Sequence, residues 1–403
     1  MSTVLQKWPK LAIEGGSPVR SKPLPYARQS LNEEDVHAVV GVLRSDWLTT
    51  GPAVEEFEQA FAVTVGARHA VAVSNGTTAL HLALCAAQIG PGDEVIVPVM
   101  TFVASANCVV FQGATPVFAD VDPETLLLDP AEVDRRITRR TRAILGVDYA
   151  GQPCDYAALR TLASLHGVLL MDDAAHSLGA RCQGHAVGLL ADLNTFSFHP
   201  VKHITTGEGG MVTCTDPSLA AALRTFRNHG ITRDHRRTEP GSFSYEVTGL
   251  GYNYRLSDIQ CALGTSQLRR LSQFLERRQA IAAAYDAALA TMEAIAPLHV
   301  RSNVTHAYHL YVVQLDRSRL TAGRAEICRA LQAEGIGVNV HYLPVHLHPF
   351  YRNRFGTGPG QYPVAEAAYE RLLSLPLFPG MSDQDVSDVI VAVHKVMEGF
   401  ARR

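Results

Sequence analysis

Short apolar runs alternate with helical patterns from about residue 70 to about residue 175, and this alternation limits the folds open to the chain. The runs are "HAVAVS" (69–74), "DEVIVP" (93–98), "TPVFADV" (115–121), "TRAILGVDYAG" (141–151) and "GVLLMDDAA" (167–175). Apolar strands joined by helices form a mainly parallel sheet covered by helices on both faces. The fold class is therefore α/β, and ligands are expected beyond the carboxyl ends of the strands.

Three parts follow from the pattern along the chain. Residues 1–30, rich in proline and glycine, are predicted to form an irregular N-terminal arm, and residues 31–260 a large domain. Residues 261–403 are predicted to hold a long helical connector and a smaller α+β C-terminal domain. That domain has a helical pattern around "RAEICRALQAEG" between the predicted strands "YHLYVVQL" (308–315) and "IGVNVHYLP" (336–344).

The composition argues against several classes of protein. The chain has 403 residues, 47% of them apolar and 19% charged, with a formal net charge of −3, so no basic surplus indicates nucleic acid. No stretch approaches the roughly 18 apolar residues of a membrane span, and the start lacks the apolar segment of a signal peptide. The seven cysteines occur singly, without a C-x-x-C pair. We therefore expect a cytoplasmic protein with reduced thiols and no metal site.

Polar residues after the first two strands, and Ser197 shortly before Lys202, suggest a ligand site. In "SNGTTAL" (74–80), Thr77 and Thr78 open a helix, where free N–H groups, hydroxyls and the positive dipole end can hold a phosphate. An ordinary helix cap is the alternative. Ser197 could donate to the same phosphate. Phe102 begins the next helix, where it could lie flat on a planar ring or simply pack in the core.

Two adjacent acids end the run "VLLMDDAAHS", followed by His176. A carboxylate at the end of a buried strand needs a cation or good hydrogen bonds. Asp173 could hold a protonated ring nitrogen. A helix cap, or magnesium held by Asp172 and Asp173 together, is the competing interpretation, and magnesium is the weaker because no third carboxylate ends a nearby strand.

One lysine lies between a strand and a glycine-rich turn in "FSFHPVKHITTGEGGMV" (196–212). A partly desolvated lysine in such a place can lose its proton and act as an amine nucleophile; a solvated surface lysine is the alternative. Lys202 would then supply an amine for an aldehyde, beside a phosphate grip, a flat aromatic and an acid for a ring nitrogen. Pyridoxal 5'-phosphate (PLP) requires these four parts together.

The chain resembles the sugar-nucleotide aminotransferases, often called the DegT family, which are PLP enzymes of the aspartate-aminotransferase fold type. The resemblance extends from about residue 11 to about residue 394. It rests on "SNGTTALHLAL", "PVMTFVASAN", "MDDAAHSLGA", "FSFHPVKHITTGEGGMV" and "GYNYRLSDIQCALG". It implies a PLP-dependent transferase of fold type I, with a large domain and a smaller C-terminal one. Asp172 departs from the Glu of many members, and His203 occupies a position that varies.

The resemblance also implies a role for each candidate residue. Lys202 would bind PLP as a Schiff base and act as acid and base, Asp173 would pair with the pyridine nitrogen, and His176 would lie beside the phenolic oxygen. Phe102 would stack on the ring, and the phosphate would be held by Thr77, Thr78 and Ser197. Asn253, in a "G-x-N-x-R" segment, would reach the phosphate of the neighbouring subunit, a task that Arg255 could share. This implies a homodimer with shared active sites. Capping of the helix starting near Leu256 is the alternative for Asn253.

Two stretches, residues 25–52 and 338–356, look most like one subgroup, the UDP-4-amino-4,6-dideoxy-N-acetyl-β-L-altrosamine transaminases of pseudaminic acid biosynthesis. That resemblance implies amination of a 4-keto UDP sugar with glutamate as donor. His341 could face the sugar or its diphosphate, or be structural. Amination of another keto sugar nucleotide or a cyclitol, and a non-catalytic regulatory relative, are the alternatives. The sequence does not support a nicotinamide-dependent dehydrogenase, because "SNGTTAL" stands where that class requires G-x-G-x-x-G.

Overall fold

A seven-stranded sheet forms the centre of the molecule. The computed structural model describes residues 10–232 and 245–402. The strands of this sheet are β1 (His69–Val73), β2 (Glu94–Pro98), β3 (Thr115–Ala119), β4 (Thr141–Val147), β5 (Leu169–Asp173), β8 (Leu193–Ser197) and β9 (Gly210–Cys214). Their order is β1-β9-β8-β5-β4-β2-β3. β9 is antiparallel to both β1 and β8, and all other neighbours are parallel. The predicted α/β class with a mainly parallel sheet is confirmed.

Helices cover this sheet because their apolar residues pack on the buried strands. They are α2 (Pro52–Val65), α3 (Gly76–Ala86), α4 (Ala104–Phe111), α5 (Pro130–Asp134), α6 (Tyr156–His166) and α7 (Pro217–Arg227). α1 (Glu33–Leu43), whose buried residue is Asp35, lies outside this layer. Side-chain oxygens of Asn32, Asn75, Asp155 and Asp216 accept hydrogen bonds from the first turns and fix where four of these helices begin. A fixed start matters most for α3, whose N-terminus faces the candidate site.

The predicted connector consists of two helices, α8 (Asp258–Arg269) and α9 (Leu271–Leu289), separated at Arg270. α8 packs against α1 and α2. The buried Asp35 of α1 accepts hydrogen bonds from Ser266 Oγ at 2.7 Å and from Gln267 Nε2 at 2.6 Å. These bonds attach the first half of the connector to the large domain, beyond the domain boundary at residue 260 that the pattern predicts.

The C-terminal part has its own sheet and core. Antiparallel strands β12 (Ile295–Pro297), β14 (Tyr311–Leu315) and β15 (Leu372–Leu375) pack with α10 (Arg324–Ala333) and α13 (Asp383–Gly399). Helices α11 (Pro349–Phe355) and α12 (Pro363–Tyr369) instead place their buried residues in the core of the large domain. Short strands complete the description: β6 (Arg181–Cys182), β7 (His185–Ala186), β10 (Ile231–Thr232), β11 (Glu246–Val247) and β13 (Val304–Thr305). Single 3₁₀ turns are at Ala12–Glu14, Tyr149–Gly151 and Val345–Leu347.

The strand predicted over residues 336–344 is wrong. That segment makes only isolated bridges, from Ile336 to Leu24 and from Asn339 to Ser374. The side chain of Asn339 is the physical reason for part of this, because its Oδ1 accepts from the backbone N–H of Val340 at 2.8 Å and competes with a regular ladder. The segment instead bends across the mouth of a cavity, which brings its side chains to the site described below.

The described part of the N-terminal arm docks on the small domain. Glu334, buried in that domain, accepts from the backbone N–H groups of Ala12 at 2.8 Å and Val19 at 3.0 Å. Its carboxylate also pairs with buried Lys395 of α13 at 2.8 Å. Residues 1–9 of the predicted arm lie outside the described residues. Within 10–232 and 245–402, no helix has both the length and the apolar character that crossing a membrane demands.

Candidate active site

A cavity of about 660 Å³ opens beyond the carboxyl ends of β1, β2, β5 and β8. That volume suits a cofactor together with part of a substrate. One wall, here called the sheet side, comes from residues that follow these strands: Thr77, Phe102, Asp173, His176, Ser197 and Lys202. The opposite wall, here called the small-domain side, comes from His309, Asn339, His341 and Tyr342. Tyr26 of the arm also lines the cavity. The parallel topology is what gathers the sheet side from distant parts of the sequence.

Lys202 lies in the turn between β8 and β9. The turn is tight: the N–H of Phe198 donates to Gly209 O at 2.8 Å, and the N–H of Lys202 donates to His199 O at 2.9 Å. The Lys202 amine lies 3.4 Å from Nε2 of His309. Burial lowers the pKa of Lys202 to about 8, an effect that the negative charge of Asp173 opposes. An amine with this pKa exchanges its proton readily near neutral pH.

The two adjacent acids at the end of β5 have different environments. Asp173 borders the cavity, and its carboxylate accepts from Ser105 Oγ at 2.7 Å and from the N–H of Ala175 at 3.2 Å. Burial raises its pKa, while these two hydrogen bonds and the charge of Lys202 oppose the rise. A cation placed against Asp173 would favour its charged form in the same way. Successive strand residues point to opposite faces, so Asp172 faces away from this carboxylate.

Asp172 belongs to a buried acidic cluster outside the cavity. Burial, and then the charge of Asp148, raise its pKa well above the ordinary range. Asp148 itself accepts from Tyr156 and Ser177 at 2.9 and 2.6 Å. Asp172 does not line the cavity, so it does not share a site with Asp173. The alternative of magnesium held by the two acids together therefore has no support in the geometry.

The N-terminus of α3 lies against the end of β8. A Cβ on Gly76 would be 2.8 Å from Cβ of Ser197, so only glycine allows this approach. Thr77 and Ser197 both line the cavity here. Thr78 does not: its hydroxyl donates to Asn75 O at 2.8 Å and accepts from the N–H of Asn75 at 3.0 Å. The cap that the sequence offered as an alternative is formed by Thr78, and the open helix end with two hydroxyls remains suited to a phosphate.

Two rings of the sheet side, Phe102 and His176, line the cavity. Phe102 is 55% exposed and lines the cavity, so a face of its ring is open to a ligand. His176 is buried, with Nε2 3.1 Å from the hydroxyl of Tyr342, and burial lowers its pKa well below the ordinary range. Within the described residues its buried Nδ1 has no hydrogen-bond partner. An unpartnered ring nitrogen beside the cavity fits a ligand that brings a polar group to this point.

His341 lines the cavity but is already hydrogen-bonded within the chain. Its Nδ1 lies 2.8 Å from Ser374 Oγ, and its Nε2 lies 3.3 Å from Asn339 Nδ2. Its backbone oxygen accepts from the hydroxyl of Tyr149. Burial, and then the charge of Lys202, lower its pKa to about 4. The neutral ring therefore presents its edge to a ligand and has no free N–H group to donate.

Asn253 is not part of the cavity in its own chain. It is exposed and makes an isolated backbone bridge with Asn228. The helix that follows is capped by Ser257, whose side chain accepts from the N–H of Gln260. The capping role weighed for Asn253 is thus taken by another residue. The neighbouring Arg255 donates to the side chain of Asn228 at 2.6 Å.

The site has the four features that PLP requires. It holds an amine of lowered pKa, a buried carboxylate, an aromatic face and a helix N-terminus flanked by hydroxyls. Residues 29–394 match the profile of the DegT/DnrJ/EryC1/StrS aminotransferase family. The chain belongs to this family. Its cofactor is PLP, and it is a sugar aminotransferase of the DegT family, with the transferase fold type I that the sequence resemblance implied.

Individual relatives agree with this assignment across nearly the whole chain. The spore coat polysaccharide biosynthesis protein SpsC of Bacillus subtilis is 43% identical over 383 residues, which cover 94% of this chain and 98% of SpsC. Helicobacter pylori PseC, an aminotransferase involved in pseudaminic acid biosynthesis, superposes with a TM-score of 0.88 at 33% identity. The match covers 94% of this chain and all of PseC. Spr1654 of Streptococcus pneumoniae, described as a sugar aminotransferase, gives 0.87 in its PLP form at 33% identity, with 93% and 99% covered.

Several residues that line or support this DegT-family site escaped the reasoning from sequence. Ser105 holds Asp173 from inside α4, one helical turn after Thr101, to which it is bonded at 2.7 Å. His309 and Tyr342 lie in irregular segments with no periodic pattern. The two histidines of "THAYHLYV", three positions apart and just before β14, were a usable signal for His309. Tyr342 directly follows His341, and the same strand-end reasoning applied to both.

Proposed function

We propose that the protein moves an amino group from glutamate to the 4-keto group of a UDP-linked 6-deoxy-N-acetylhexosamine, in a pathway of the pseudaminic acid type. The observation that carries this proposal is the meeting of two sequence stretches at one cavity. Tyr26 comes from residues 25–52, and Asn339 to Tyr342 come from residues 338–356. These are the stretches that resemble the altrosamine transaminase subgroup, and the similarity to PseC supports the same choice.

A different nucleotide sugar is the second candidate. The identity to SpsC is 43%, against 33% for PseC, and SpsC is described as a protein of spore coat polysaccharide biosynthesis. Sugar choice depends on loops rather than on the fold. The amino chemistry proposed for Lys202 and Asp173 is the same for either sugar, so the two candidates differ only in the group that the small-domain side admits.

The residues divide the work of binding as follows. When bound, PLP supplies an aldehyde that carries the amino group and a ring that takes up electrons as a substrate C–H bond breaks. Lys202 is the residue that would bind that aldehyde. Asp173 would pair with the ring nitrogen, Phe102 would cover one face, and His176 would lie beside the phenolic oxygen. Thr77, Ser197 and the N-terminus of α3 would hold the phosphate.

Lys202 also moves protons in this proposal. Once displaced by the amino donor, its Nζ accepts the proton from the donor's α-carbon and returns it on the cofactor side. The same amine runs the reverse sequence on the sugar, where the proton goes to C4. The pKa of about 8 suits both directions, because the amine can hold or release a proton near neutral pH. Expected products are 2-oxoglutarate and the 4-amino sugar nucleotide.

A panel of substrates tests the sugar. The purified protein would be incubated with glutamate and several 4-keto nucleotide sugars, and kcat/KM would be measured by mass spectrometry of the products. The UDP-linked 6-deoxy-N-acetylhexosamine should be preferred by about tenfold or more, the discrimination expected from one or two well-placed contacts. Equal or faster amination of a sugar linked to another nucleotide would reject this substrate and leave the sugar aminotransferase assignment in place.

We also propose a homodimer with shared active sites, in which Asn253 reaches the phosphate bound by the partner. Two observations support this. Asn253 is exposed and does not line the cavity of its own chain, and Ser257 takes the helix-capping role that was the alternative for Asn253. A twofold interface makes each subunit give and receive the same contact. We keep the cytoplasmic location as a further proposal, in line with seven free cysteines.

Subunit mixing tests the shared site. Lys202→Ala and Asn253→Ala homodimers should each have little activity. Refolding a mixture of the two should restore about a quarter of wild-type activity, because half of randomly formed dimers are mixed and each has one intact site. Mass spectrometry of intact dimers would confirm that mixed dimers form. If they form without regaining activity, Asn253 acts within its own subunit or not at all.

A further inference from the structure

His309, on the small-domain side, contacts the Lys202 amine. Its Nε2 lies 3.4 Å from Nζ, a long hydrogen bond, and its ring is buried at the edge of the cavity. It comes from the segment just before β14, more than a hundred residues along the chain. Residues so far apart in sequence meet only through tertiary packing. The contacts that hold the segment therefore determine how firmly His309 is placed beside Lys202.

The backbone around His309 is fixed on both sides. The N–H of Ala307 donates to Gly151 O at 3.0 Å, and the N–H of Leu310 donates to Ala150 O at 3.1 Å. Gly151 has φ of +109°, and a Cβ there would lie 2.9 Å from His309 N, so the approach depends on glycine. The segment cannot shift away from Lys202 without breaking these bonds.

A buried arginine holds the same segment from the other side. Arg278 of α9 is 1% exposed, and its Nη1 donates to the carbonyls of Tyr308 at 3.1 Å, His309 at 3.3 Å and Leu377 at 3.1 Å. Three carbonyls around one guanidinium fix the direction of the peptide that carries His309. The position of the imidazole relative to Lys202 is therefore determined by backbone bonds, before any ligand binds.

The ring of His309 is neutral. Burial lowers its pKa well below the ordinary range, and the charge of Lys202 adds to this. Its centroid lies 4.3 Å from that of His176 and 5.7 Å from that of His203, whose pKa values are also lowered by burial. A neutral imidazole has one nitrogen free to accept a hydrogen bond. Since an ammonium group only donates, a hydrogen bond from charged Lys202 requires Nε2 as the acceptor and the proton on Nδ1, which has no other hydrogen-bond partner among the described residues.

We propose that His309 is a positioning residue for Lys202: its Nε2 accepts a hydrogen bond from the amine whenever that amine is free, and so keeps Nζ directed into the cavity. The proposal rests on the proposed function, in which Lys202 is displaced from the cofactor in each half-reaction. A long, flexible side chain needs a fixed partner to return to the same place. His309 itself takes no proton in this role.

The lysine in the cofactor-free protein provides a direct test. Competitive labelling with acetic anhydride from about pH 6 to about pH 10, followed by peptide mass spectrometry, gives the apparent pKa of Lys202. The exposed Lys22 serves as internal reference. In His309→Leu, the apparent pKa should fall by about one unit, the loss expected when a charged donor loses its acceptor. In His309→Gln, whose Oε1 can take the place of Nε2, it should return close to the wild-type value.

The matched control is His306→Gln, on the same segment but outside the cavity, which should leave the apparent pKa of Lys202 unchanged. In the holoenzyme, His309→Leu should lower kcat by about tenfold with little change in KM, and His309→Gln should recover most of it. If His309→Leu does not fold, His309→Asn replaces it, because its shorter side chain does not reach Nζ.

An unchanged apparent pKa of Lys202 in a folded His309→Leu or His309→Asn protein would overturn the proposal, since a residue that only packs would give that result. The labelling does not involve either substrate, so it stands apart from the choice of sugar. Turnover by Lys202→Ala would instead refute the proposed function, whatever the labelling shows.

Discussion

The sheet side of the cavity and its small-domain side differ in how the chain builds them. On the sheet side, Asp173, Ser197 and Lys202 lie at or just after the ends of β5 and β8, where regular strands stop. On the small-domain side, His309 and Tyr342 come from bent segments held by single bridges and side-chain bonds. Strand-to-strand hydrogen bonds fix the first wall. The second wall depends on individual backbone bridges and side-chain hydrogen bonds.

The two sides also differ in charge. The sheet side holds a carboxylate and an amine whose charges stabilise each other, as shown by the opposing effects of Asp173 on the pKa of Lys202 and of Lys202 on that of Asp173. The small-domain side holds neutral imidazoles and a phenol, with pKa values moved by burial toward the neutral forms. Charged groups are suited to breaking bonds, and neutral hydrogen-bond donors and acceptors are suited to binding a sugar. We therefore expect rate effects from the first wall and affinity effects from the second, except for His309, which contacts Lys202 and should affect the rate.

Lys202→Ala should give the largest effect. It removes both the cofactor anchor and the proton carrier, so turnover should fall by about ten-thousandfold or more, since general acid–base groups alone contribute up to about that factor. The purified variant should also lack the borohydride-reducible bond to a lysine that peptide mapping would locate at residue 202 in the wild type. Circular dichroism would confirm that the variant is folded. Near-normal turnover would contradict the whole assignment of the sheet side.

Asp173→Asn should come next. Loss of the charge that would hold the protonated ring nitrogen should slow proton transfer by about a hundredfold, equal to roughly 2.7 kcal/mol at tenfold per 1.36 kcal/mol. Bound cofactor, measured by absorbance, should remain. Asp172→Asn is the matched control on the neighbouring residue: its side chain lies outside the cavity, so an amide should replace it with a small effect on kcat. Reversed effects would mean that the wrong carboxylate has been assigned.

The difference between the two walls also explains what the sequence could predict. Strand periodicity located β1 to β5 within a few residues, and strand ends then identified Thr77, Asp173, Ser197 and Lys202 as neighbours. The same logic failed at residues 336–344, where an apolar run with strand-like residues makes only two bridges. No periodicity marks such a segment, because its position is fixed by Leu24, Ser374 and Tyr149, which are far away in sequence.

Side-chain direction set the other limit. Thr77 and Thr78 are adjacent and chemically identical, yet only Thr77 reaches the cavity, because the hydroxyl of Thr78 closes the cap with Asn75. Asp172 and Asp173 are separated by strand alternation in the same way. In the first pair, a hydrogen-bonded helix cap determines which threonine reaches the cavity. In the second pair, the register of β5 determines which aspartate does. Only the second was within reach of a sequence pattern.

His341→Ala tests the small-domain side. Both ring nitrogens are bonded within the chain, so the substitution should change the shape of the wall and raise KM for the sugar by up to about tenfold, with kcat changed much less. The glutamate half-reaction, followed separately by absorbance, should be nearly unaffected. His341→Gln, which keeps a polar side chain, should show a smaller rise in KM. A large loss of kcat in both half-reactions would place His341 with the chemical residues of the sheet side.

The smallest expected effect is on stability against pH, and it separates the two walls without any substrate. His341 has a pKa of about 4 in the folded protein, against about 6.5 in an unfolded chain. Between these values the unfolded chain binds a proton that the folded one does not, so the free energy of unfolding decreases as pH falls through 6.5 toward 4. The slope is at most about 1.4 kcal/mol per pH unit for one histidine.

Urea unfolding of the cofactor-free protein at about pH 7 and about pH 5 measures this effect. His176, His203 and His309 contribute with the same sign, since burial lowers their pKa values too, so the wild type alone does not isolate His341. His341→Gln should therefore lose about 1 to 2 kcal/mol less than the wild type over that range. His37→Gln, on the exposed surface of α1, is the control for removal of a histidine that is not buried. Equal losses in wild type and His341→Gln would show that this wall is open to water, and the contrast between the two sides would then rest on kinetics alone.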